Sequence, residues 1–322
     1  MGKQNRGLFL ALVKKLASLY TKVRYRNVPY KYLYFFRDTV ACKLYQTKYF
    51  FGDYGIKKPY KVVDFSGEFG AELQFALPFA YWHYLNGTLK ETVSTPNTKE
   101  LYYFSPKHTE TNQRRTNEGN YNYEIPRIIH SQDYNMKKWA QVPLKSIYRN
   151  DILVFKKPML IIANKYNTEW DGPPVSYFSI TVLDFFISQL KRKYQVIYNR
   201  PSGSHIVNDN SDIRDLNEHE WLRQQHPEVI LVDDLYAKNV IKANNFNHFQ
   251  LCLYANCENF ISVHGGTSVL ASYFGGKNLI YSRAGGEHYF NCFFDLYPKL
   301  ANTEIMLAQK EEELFPLVDK FL

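Results

Sequence analysis

From Pro158 onwards, short apolar runs alternate with amphipathic segments, and this alternation restricts the fold more than any other feature of the chain. The strand candidates read MLIIAN, YQVIYN, VILVDD, NFISV and NLIYS, and the helix candidates read SITVLDFFISQLKRK, HFQLCLYAN and TSVLASYF. Strands that are apolar throughout and separated by helices are typical of a parallel sheet covered on both faces. The second half of the chain is therefore predicted to be a doubly wound α/β domain.

The first half contains one unit of the same type. Residues 60–65 (YKVVDF) predict a strand, which the turn SGEFG and a helix from Ala71 to Leu85 follow. Residues 92–135 are polar with little periodicity, which predicts a long loop or an irregular insertion. We therefore expect a basic arm over 1–50, an α/β domain over 51–152 and a second α/β domain over 153–322 with a C-terminal helix.

The positive charge of the chain is concentrated at its N-terminus. The net charge is +9, yet residues 1–49 carry eleven lysines and arginines against Asp38 alone, so the rest of the chain is nearly neutral. The apolar residues of this arm at helical spacing are Phe9, Leu12, Val13, Leu16 and Tyr20. A basic amphipathic helix of this kind lies on anionic membrane surfaces, although the same stripe could pack on the protein's own core. Nucleic acid is not expected as a partner, because the neutral body carries no binding motif.

Cysteine use and hydropathy point to the cytoplasm. The four cysteines form neither a CxxC pair nor a metal-binding spacing, which favours a reducing compartment. The apolar run from Leu8 to Val13 is too short to span a bilayer and has no cleavage-like site after it. Aromatic residues make up 17% of the chain, which suits stacking on sugars or bases but equally reflects codon bias. We expect a cytoplasmic protein with peripheral membrane contact through residues 1–49.

Residues 259–281 read as strand, small turn, helix and strand. Gly265 and Gly266 allow close approach of a ligand, and the hydroxyls of Thr267 and Ser268 could cap the helix that follows His264 and the glycines. Such a turn fits a diphosphate. An ordinary turn between strand and helix is the alternative, since glycine with serine or threonine is common there.

Polar residues follow each strand of the second half, where an open parallel sheet binds its ligands. Lys165 and Arg200 could neutralise phosphates, and Asp234 could accept hydrogen bonds from a ribose or a base. The predicted donor-binding residues are Asn164, Lys165, Arg200, Asp234, His264, Gly265, Gly266, Thr267 and Ser268. Asp233 and Asp234 suggest a divalent ion, but no third ligand stands at a suitable spacing, so no metal site is predicted.

The turn in the first half holds a candidate catalytic carboxylate. Glycines flank Glu68 on a tight turn between strand and helix, where its carboxylate could deprotonate a hydroxyl nucleophile. Glu68 could instead interact with the helix dipole in the first turn. Gly67, Phe69 and Gly70 share this turn.

The segments VVDFSGEFGAELQFALPF and NFISVHGGTSVLASYFGG together resemble GT-B-type nucleotide-sugar glycosyltransferases of surface-polysaccharide synthesis. The first is similar to the acceptor-side glycine-rich loop of fucosyltransferase-like enzymes, and the second to their donor-diphosphate turn. The resemblance implies two Rossmann-like domains facing a central cleft, a nucleoside-diphosphate sugar bound mainly by the second, and no permanently bound cofactor. Ala71 replaces a frequent asparagine, and IIANKY lacks a His-Arg-Arg signature, so the donor sugar stays open.

The predicted activity is transfer of a sugar to a glycan hydroxyl by single displacement without metal, with Glu68 as the base. Retention of configuration is the competing stereochemistry. A polysaccharide pyruvyltransferase using phosphoenolpyruvate and a nucleotide-sugar epimerase are the alternative enzymes of similar fold. A basic-armed module that binds membrane or nucleic acid is the non-enzymatic alternative.

Overall fold

The computed structural model describes residues 15–322 except 17, 21, 25, 28, 30–32, 117–118, 121, 126–137, 170–171, 206, 208–210 and 290. These residues form two parallel sheets with helices packed around them, together with a small antiparallel ribbon. The predicted α/β class, with two units, is confirmed.

The first unit is built on a three-stranded parallel sheet in the order β1-β2-β3. Its elements are α1 (Leu33–Phe51), a π-helical turn (Gly52–Ile56), β1 (Lys61–Asp64), α2 (Phe69–Ala71), a second π-helical turn (Glu72–Ala76), α3 (Leu77–Leu85), β2 (Leu89–Ser94), β3 (His108–Glu110) and α4 (Leu144–Tyr148). Strands β2 and β3 reach into residues 92–135, so the prediction of a loop throughout that stretch is wrong. Both strands are short and polar, and neither shows a continuous apolar run.

The second unit is built on a six-stranded parallel sheet in the order β11-β10-β9-β4-β6-β8. Its strands are β4 (Met159–Ala163), β6 (Gln195–Asn199), β8 (Ile230–Leu231), β9 (Asn259–Val263), β10 (Lys277–Tyr281) and β11 (Glu304–Ala308), while β5 (Asn167–Glu169) and β7 (Ser211–Ile213) form the ribbon. The chain runs outward from β4 to β8, returns to the other side of β4 at β9 and continues to β11. This is the strand order of the doubly wound Rossmann fold, with its switch point between β4 and β9.

Nine helices of the described chain accompany this sheet. They are α5 (Ile180–Leu190), α6 (Glu218–Gln225), α7 (Val232–Ala237), α8 (Phe246–Ala255), α9 (Gly266–Ser272), α10 (Gly286–Tyr289), α11 (Cys292–Asp295), α12 (Tyr297–Ala301) and α13 (Leu314–Val318). The strand predicted over VILVDD is shorter than expected, because α7 begins at Val232. Asp233 and Asp234 therefore lie in the first turn of a helix and not at a strand end.

Both faces of the six-stranded sheet are covered by apolar side chains. Leu160 and Ile162 of β4 pack in one hydrophobic cluster, and Ile161 and Ala163 pack in the other. The second cluster continues into the first unit, where it includes Phe65. One hydrophobic cluster therefore joins the two sheets.

The basic N-terminal stretch divides into two parts. Leu16 and Tyr20 belong to a helical segment and are 56% and 55% exposed, whereas Phe9, Leu12 and Val13 lie outside the described residues. Further along, Gln46 is buried, and its side-chain amide donates to the carbonyl of Glu124 at 3.0 Å. The end of the predicted arm is thus packed on the first unit. No helix among the described residues has the length and apolar character needed to cross a membrane.

Candidate functional site

The switch point between β4 and β9 brings together two of the predicted polar segments. Lys165 stands two residues after β4, and His264 directly follows β9. The two strands are neighbours in the sheet, and Ala163 pairs with Ser262. In open α/β sheets the crevice at this position is where ligands bind.

The turn after β9 has a backbone shape that favours glycine. Gly265 has φ +113° and ψ −158°, a region that residues with a side chain rarely adopt. The Lys165 ammonium lies beside it, since a Cβ at Gly265 would be 3.2 Å from Lys165 Nζ. A cation and an unobstructed backbone therefore face the same space, as phosphate recognition requires.

A buried carboxylate orients the imidazole of His264. His264 Nε2 lies 2.9 Å from Glu287 Oε1, and Glu287 is buried. Gly285 makes this pairing possible, because a Cβ there would lie 2.6 Å from His264 Cε1. The neighbouring His288 bonds to Ser282 Oγ at 2.8 Å, and burial, followed by the proximity of His264, lowers the pKa of His288. His288 is therefore held neutral beside the pair formed by His264 and Glu287.

The turn after β1 is fixed by backbone contacts with a distant segment. The Ser66 N–H donates to the Gly119 carbonyl at 2.7 Å, and the Thr116 N–H donates to the Ser66 carbonyl at 2.9 Å. A Cβ at Gly119 would overlap the carbonyl carbon of Ser66, and one at Gly67 would lie 2.6 Å from the Phe65 ring. Both glycines are therefore required for the close packing of this turn.

Glu68 stands at the N-cap of α2, on the turn that these contacts hold. Its backbone is extended (φ −60°, ψ 142°), and the residue is half-buried. None of the described N–H groups of α2 receives a capping hydrogen bond from the Glu68 side chain. The carboxylate therefore does not cap the helix.

Two residues that the sequence analysis did not single out, Glu72 and Arg115, stabilise the Glu68 turn through hydrogen bonds. Arg115 Nη2 donates to Glu72 Oε2 at 2.7 Å, and Arg115 Nη1 donates to the Gly67 carbonyl at 2.9 Å. Ser94 Oγ and Tyr102 OH donate to Glu72 Oε1 at 2.5 and 2.9 Å. Glu72 is fully buried, so the three bonds that it accepts from Arg115, Ser94 and Tyr102 compensate its lost hydration. Glu72 could have been recognised in the sequence as a charged residue inside an otherwise apolar predicted helix. The polar sequence around Arg115 gives no comparable indication.

The turn after β1 contacts the start of α9. A Cβ at Gly266 would lie 2.9 Å from Phe69 Cδ1 and 3.5 Å from the Gly70 nitrogen. The Phe69 ring also lies under the Arg115 guanidinium, which is 5.1 Å from the ring centroid. The glycine-flanked Glu68 and the turn at His264 therefore belong to one site at the junction of the two sheets.

Two further predicted residues, Asn164 and Ser268, shape the second turn through their hydrogen bonds. The side chain of Asn164 is fully buried, donates to the Phe178 carbonyl at 3.0 Å and accepts from the Lys165 N–H at 2.9 Å. Ser268 is also buried, and its hydroxyl donates to the Gly265 carbonyl at 2.9 Å. Thr267 is half-buried on the first turn of α9. Asn164 and Ser268 therefore fix the backbone of Lys165 and Gly265, two residues of the candidate phosphate site.

The geometry does not favour the predicted ligand roles of Arg200 and Asp234. Arg200 Nε donates to the buried carboxylate of Glu218, and its Nη1 donates to the Arg214 carbonyl at 3.2 Å. Asp234 accepts from Arg223 at 2.8 Å on an exposed part of the surface. Both ligand roles stay predictions, with each side chain already engaged by a neighbour.

A group of metal-ligand type lies at the opposite end of β1. Ligand atoms of Asp53, His83 and Glu124 are within 4.8 Å of one another, and all three residues are buried. Lys138 donates to Asp53 and, at 2.6 Å, to Glu124, while Lys61 donates to Glu124. Two ammonium groups thus already balance the two carboxylates. This charge balance disfavours a divalent ion, and the absence of a metal stays a prediction.

Comparison with known proteins gives one structural similarity. No family model matches the chain, and no curated protein matches its sequence. The solved structure of ADP-heptose LPS heptosyltransferase II from E. coli is similar over 80% of this chain and 98% of that chain, with a TM-score of 0.49 and 10% identity. A similarity of this size does not decide the activity of the protein.

Proposed function

We propose that the protein is a glycosyltransferase, which moves a sugar from a nucleoside-diphosphate donor to a hydroxyl of a glycan acceptor. The observation that carries the proposal is the contact between two turns at the Rossmann switch point. One turn offers a half-buried carboxylate, and the other offers glycine backbone beside a lysine. A base and a diphosphate site on adjoining walls are what transfer from such a donor requires.

In the proposed reaction Glu68 accepts the proton of the acceptor hydroxyl. The hydroxyl oxygen then forms a bond to the anomeric carbon, and the bond from that carbon to the diphosphate oxygen breaks. The electron pair leaves with the nucleoside diphosphate, whose charge Lys165 and the backbone of Gly265 and Gly266 stabilise. This single displacement inverts the configuration and needs no metal ion.

The neighbouring residues have supporting roles in this proposal. Glu287 orients His264 beside the diphosphate, and Arg115 holds the Gly67 carbonyl and so fixes the position of Glu68. Phe69 and Gly70 border the acceptor side, where they meet Gly266. We further propose that residues 1–49 bring the protein to a membrane surface, supported by the exposed apolar face that includes Leu16 and Tyr20.

The first experiment is a thermal-shift screen of the protein with nucleoside diphosphates, nucleotide sugars and phosphoenolpyruvate. A ligand that binds only the folded state raises the melting temperature, so we expect a response to one nucleotide class. A response to phosphoenolpyruvate alone would point to pyruvyl transfer, and no response to any nucleotide would contradict the proposal.

The second experiment replaces Glu68 with Gln, which keeps the shape of the side chain but removes its basicity. Loss of a general base costs about 10²- to 10⁴-fold in rate, so transfer should fall by that factor while donor affinity is unchanged. Glu110→Gln on the exposed end of β3 is the matched control. Full transfer activity in Glu68→Gln would exclude Glu68 as the base.

A further inference from the structure

The end of α1 and the π-helical turn after it present a group of exposed apolar side chains. Phe50 is 59% exposed, Phe51 72%, Tyr54 39% and Ile56 55%, and Leu85 at the end of α3 is 61% exposed. These five residues are called the aromatic patch below. Exposed large apolar groups that lie together mark interaction surfaces, whereas single ones need no explanation.

Ring contacts show that members of the aromatic patch lie together. The Phe50 and Tyr54 ring centroids are 4.8 Å apart, and Tyr54 meets the Trp82 ring edge-on at 5.7 Å. The Phe51 ring lies against Gly55, where a Cβ would be 3.4 Å from it. Helix α3, which carries Trp82, also ends at Leu85, so the two helix ends contribute to one surface.

Within residues 43–58, the segment that carries most of the aromatic patch, the exposed charges all have the same sign. Between residues 43 and 58 the chain has one acidic residue, Asp53, which is fully buried and accepts hydrogen bonds from Tyr60 and Lys138. The exposed charged residues of this stretch are Lys43, Lys48, Lys57 and Lys58. Apolar rings with a border of lysines complement a surface that is apolar inside and anionic outside.

We propose that the aromatic patch docks the folded body of the protein on an anionic lipid surface. Aromatic side chains favour the level of the lipid headgroups, and nearby lysines are attracted to anionic headgroups. The inference extends the membrane contact proposed for residues 1–49 to the first unit itself. The patch borders the amino end of β1, whereas the candidate site borders the carboxyl end, so docking leaves the site open.

The test is co-sedimentation of the full-length protein with vesicles of phosphatidylcholine alone or mixed with phosphatidylserine. We expect binding to the mixed vesicles and a loss of about tenfold in affinity for Phe50→Ser/Phe51→Ser, because each buried side chain contributes to interfacial binding. Ile152→Ser/Val154→Ser is the matched control, since those residues are 59% and 63% exposed on the segment between the sheets. Equal losses in the two double variants would overturn the proposal.

Charge reversal tests the lysine border. Lys57→Glu/Lys58→Glu should weaken binding to the mixed vesicles by at least about tenfold, with less effect at high salt, since each lysine near an anionic surface contributes separately. Binding of a single-stranded RNA that depends on the same lysines, with no vesicle binding, would overturn the proposal in favour of nucleic acid.

An arm variant separates the patch from the N-terminal helix. If Leu16→Ser/Leu19→Ser abolishes vesicle binding while the patch variants bind as the parent does, the arm alone docks and the inference fails. Nucleotide response in the thermal-shift screen should be unchanged in all these variants, because none of the residues borders the candidate site. Failure of vesicle binding and failure of the proposed transfer activity are therefore distinguishable.

Discussion

The two ends of strand β1 each hold buried carboxylates paired with cations, but the two groups differ in what they contact. At the amino end, Asp53 and Glu124 are enclosed with Lys61 and Lys138 inside the first unit. At the carboxyl end, Arg115 pairs with Glu72 and also donates to the Gly67 carbonyl in the Glu68 turn, which meets the second unit. The same chemistry therefore supports the framework at one end and positions a candidate base at the other. The comparison predicts that variants at the two ends will separate stability from activity.

The largest effect on stability is expected for Lys138→Met. Lys138 pairs with both Asp53 and Glu124 and is 2% exposed, so its removal leaves two carboxylates without their shared partner. Breaking a buried pair of this kind costs about 3–5 kcal/mol of unfolding free energy. Urea unfolding measures the loss, and transfer by the folded fraction should be unchanged. Lys107→Met removes an exposed ammonium that pairs with Glu91 and should destabilise the protein far less than Lys138→Met does.

Arg115→Met should lower both stability and activity. It leaves the buried Glu72 without its cation, at a cost of about 3 kcal/mol, and it removes the bond to the Gly67 carbonyl. We expect transfer by the folded fraction to fall at least about tenfold, because the position of Glu68 is no longer fixed. Arg115→Lys should restore part of the stability while activity stays low. Normal activity of folded Arg115→Met would show that the two ends of β1 are equivalent.

Acid pH is expected to lower the free energy of unfolding through His83, which belongs to the buried group at the amino end of β1. Burial, reinforced by Lys61 and Lys138, lowers the pKa of His83 to about 2. The unfolded chain takes up a proton near pH 6.5 and the folded one does not, so this stability is complete above that pH. It is lost by about 1.4 kcal/mol per pH unit as the pH falls towards 2. Urea unfolding of His83→Asn should lack this part of the pH dependence; identical slopes for the two proteins would contradict the prediction.

A double-mutant cycle tests the contact that distinguishes the carboxyl end. The new methyl group in Gly266→Ala would press on the Phe69 ring, which should cost about 1–3 kcal/mol as other overpacked sites do. In a Phe69→Ala background the same substitution should cost much less, because the methyl group then has room. Equal costs in the two backgrounds would show that the turns do not touch.

Local pattern predicted the second turn well and the first turn only in part. The strand, the glycines and the helix around His264 are consecutive in sequence, and their spacing is enough to place them. The Glu68 turn depends on Arg115 and Gly119, which belong to a polar stretch without periodicity. Their contacts with the turn therefore could not be predicted from the local sequence pattern. Arg200 illustrates the opposite difficulty. Its position directly after a strand was predicted correctly. However, its guanidinium forms an ion pair with Glu218 of the later helix α6, which the local sequence does not predict.

The hydroxyl of Tyr273 donates to the Leu73 carbonyl at 2.5 Å inside the shared hydrophobic cluster, and this bond has a consequence for substrate access. A wide hinge movement between the sheets would break it and expose apolar side chains from both units to water, at a high free-energy cost. We therefore expect the two sheets to move together as one body. Entry and exit of substrates would then depend on rearrangement of side chains and loops at the mouth of the site.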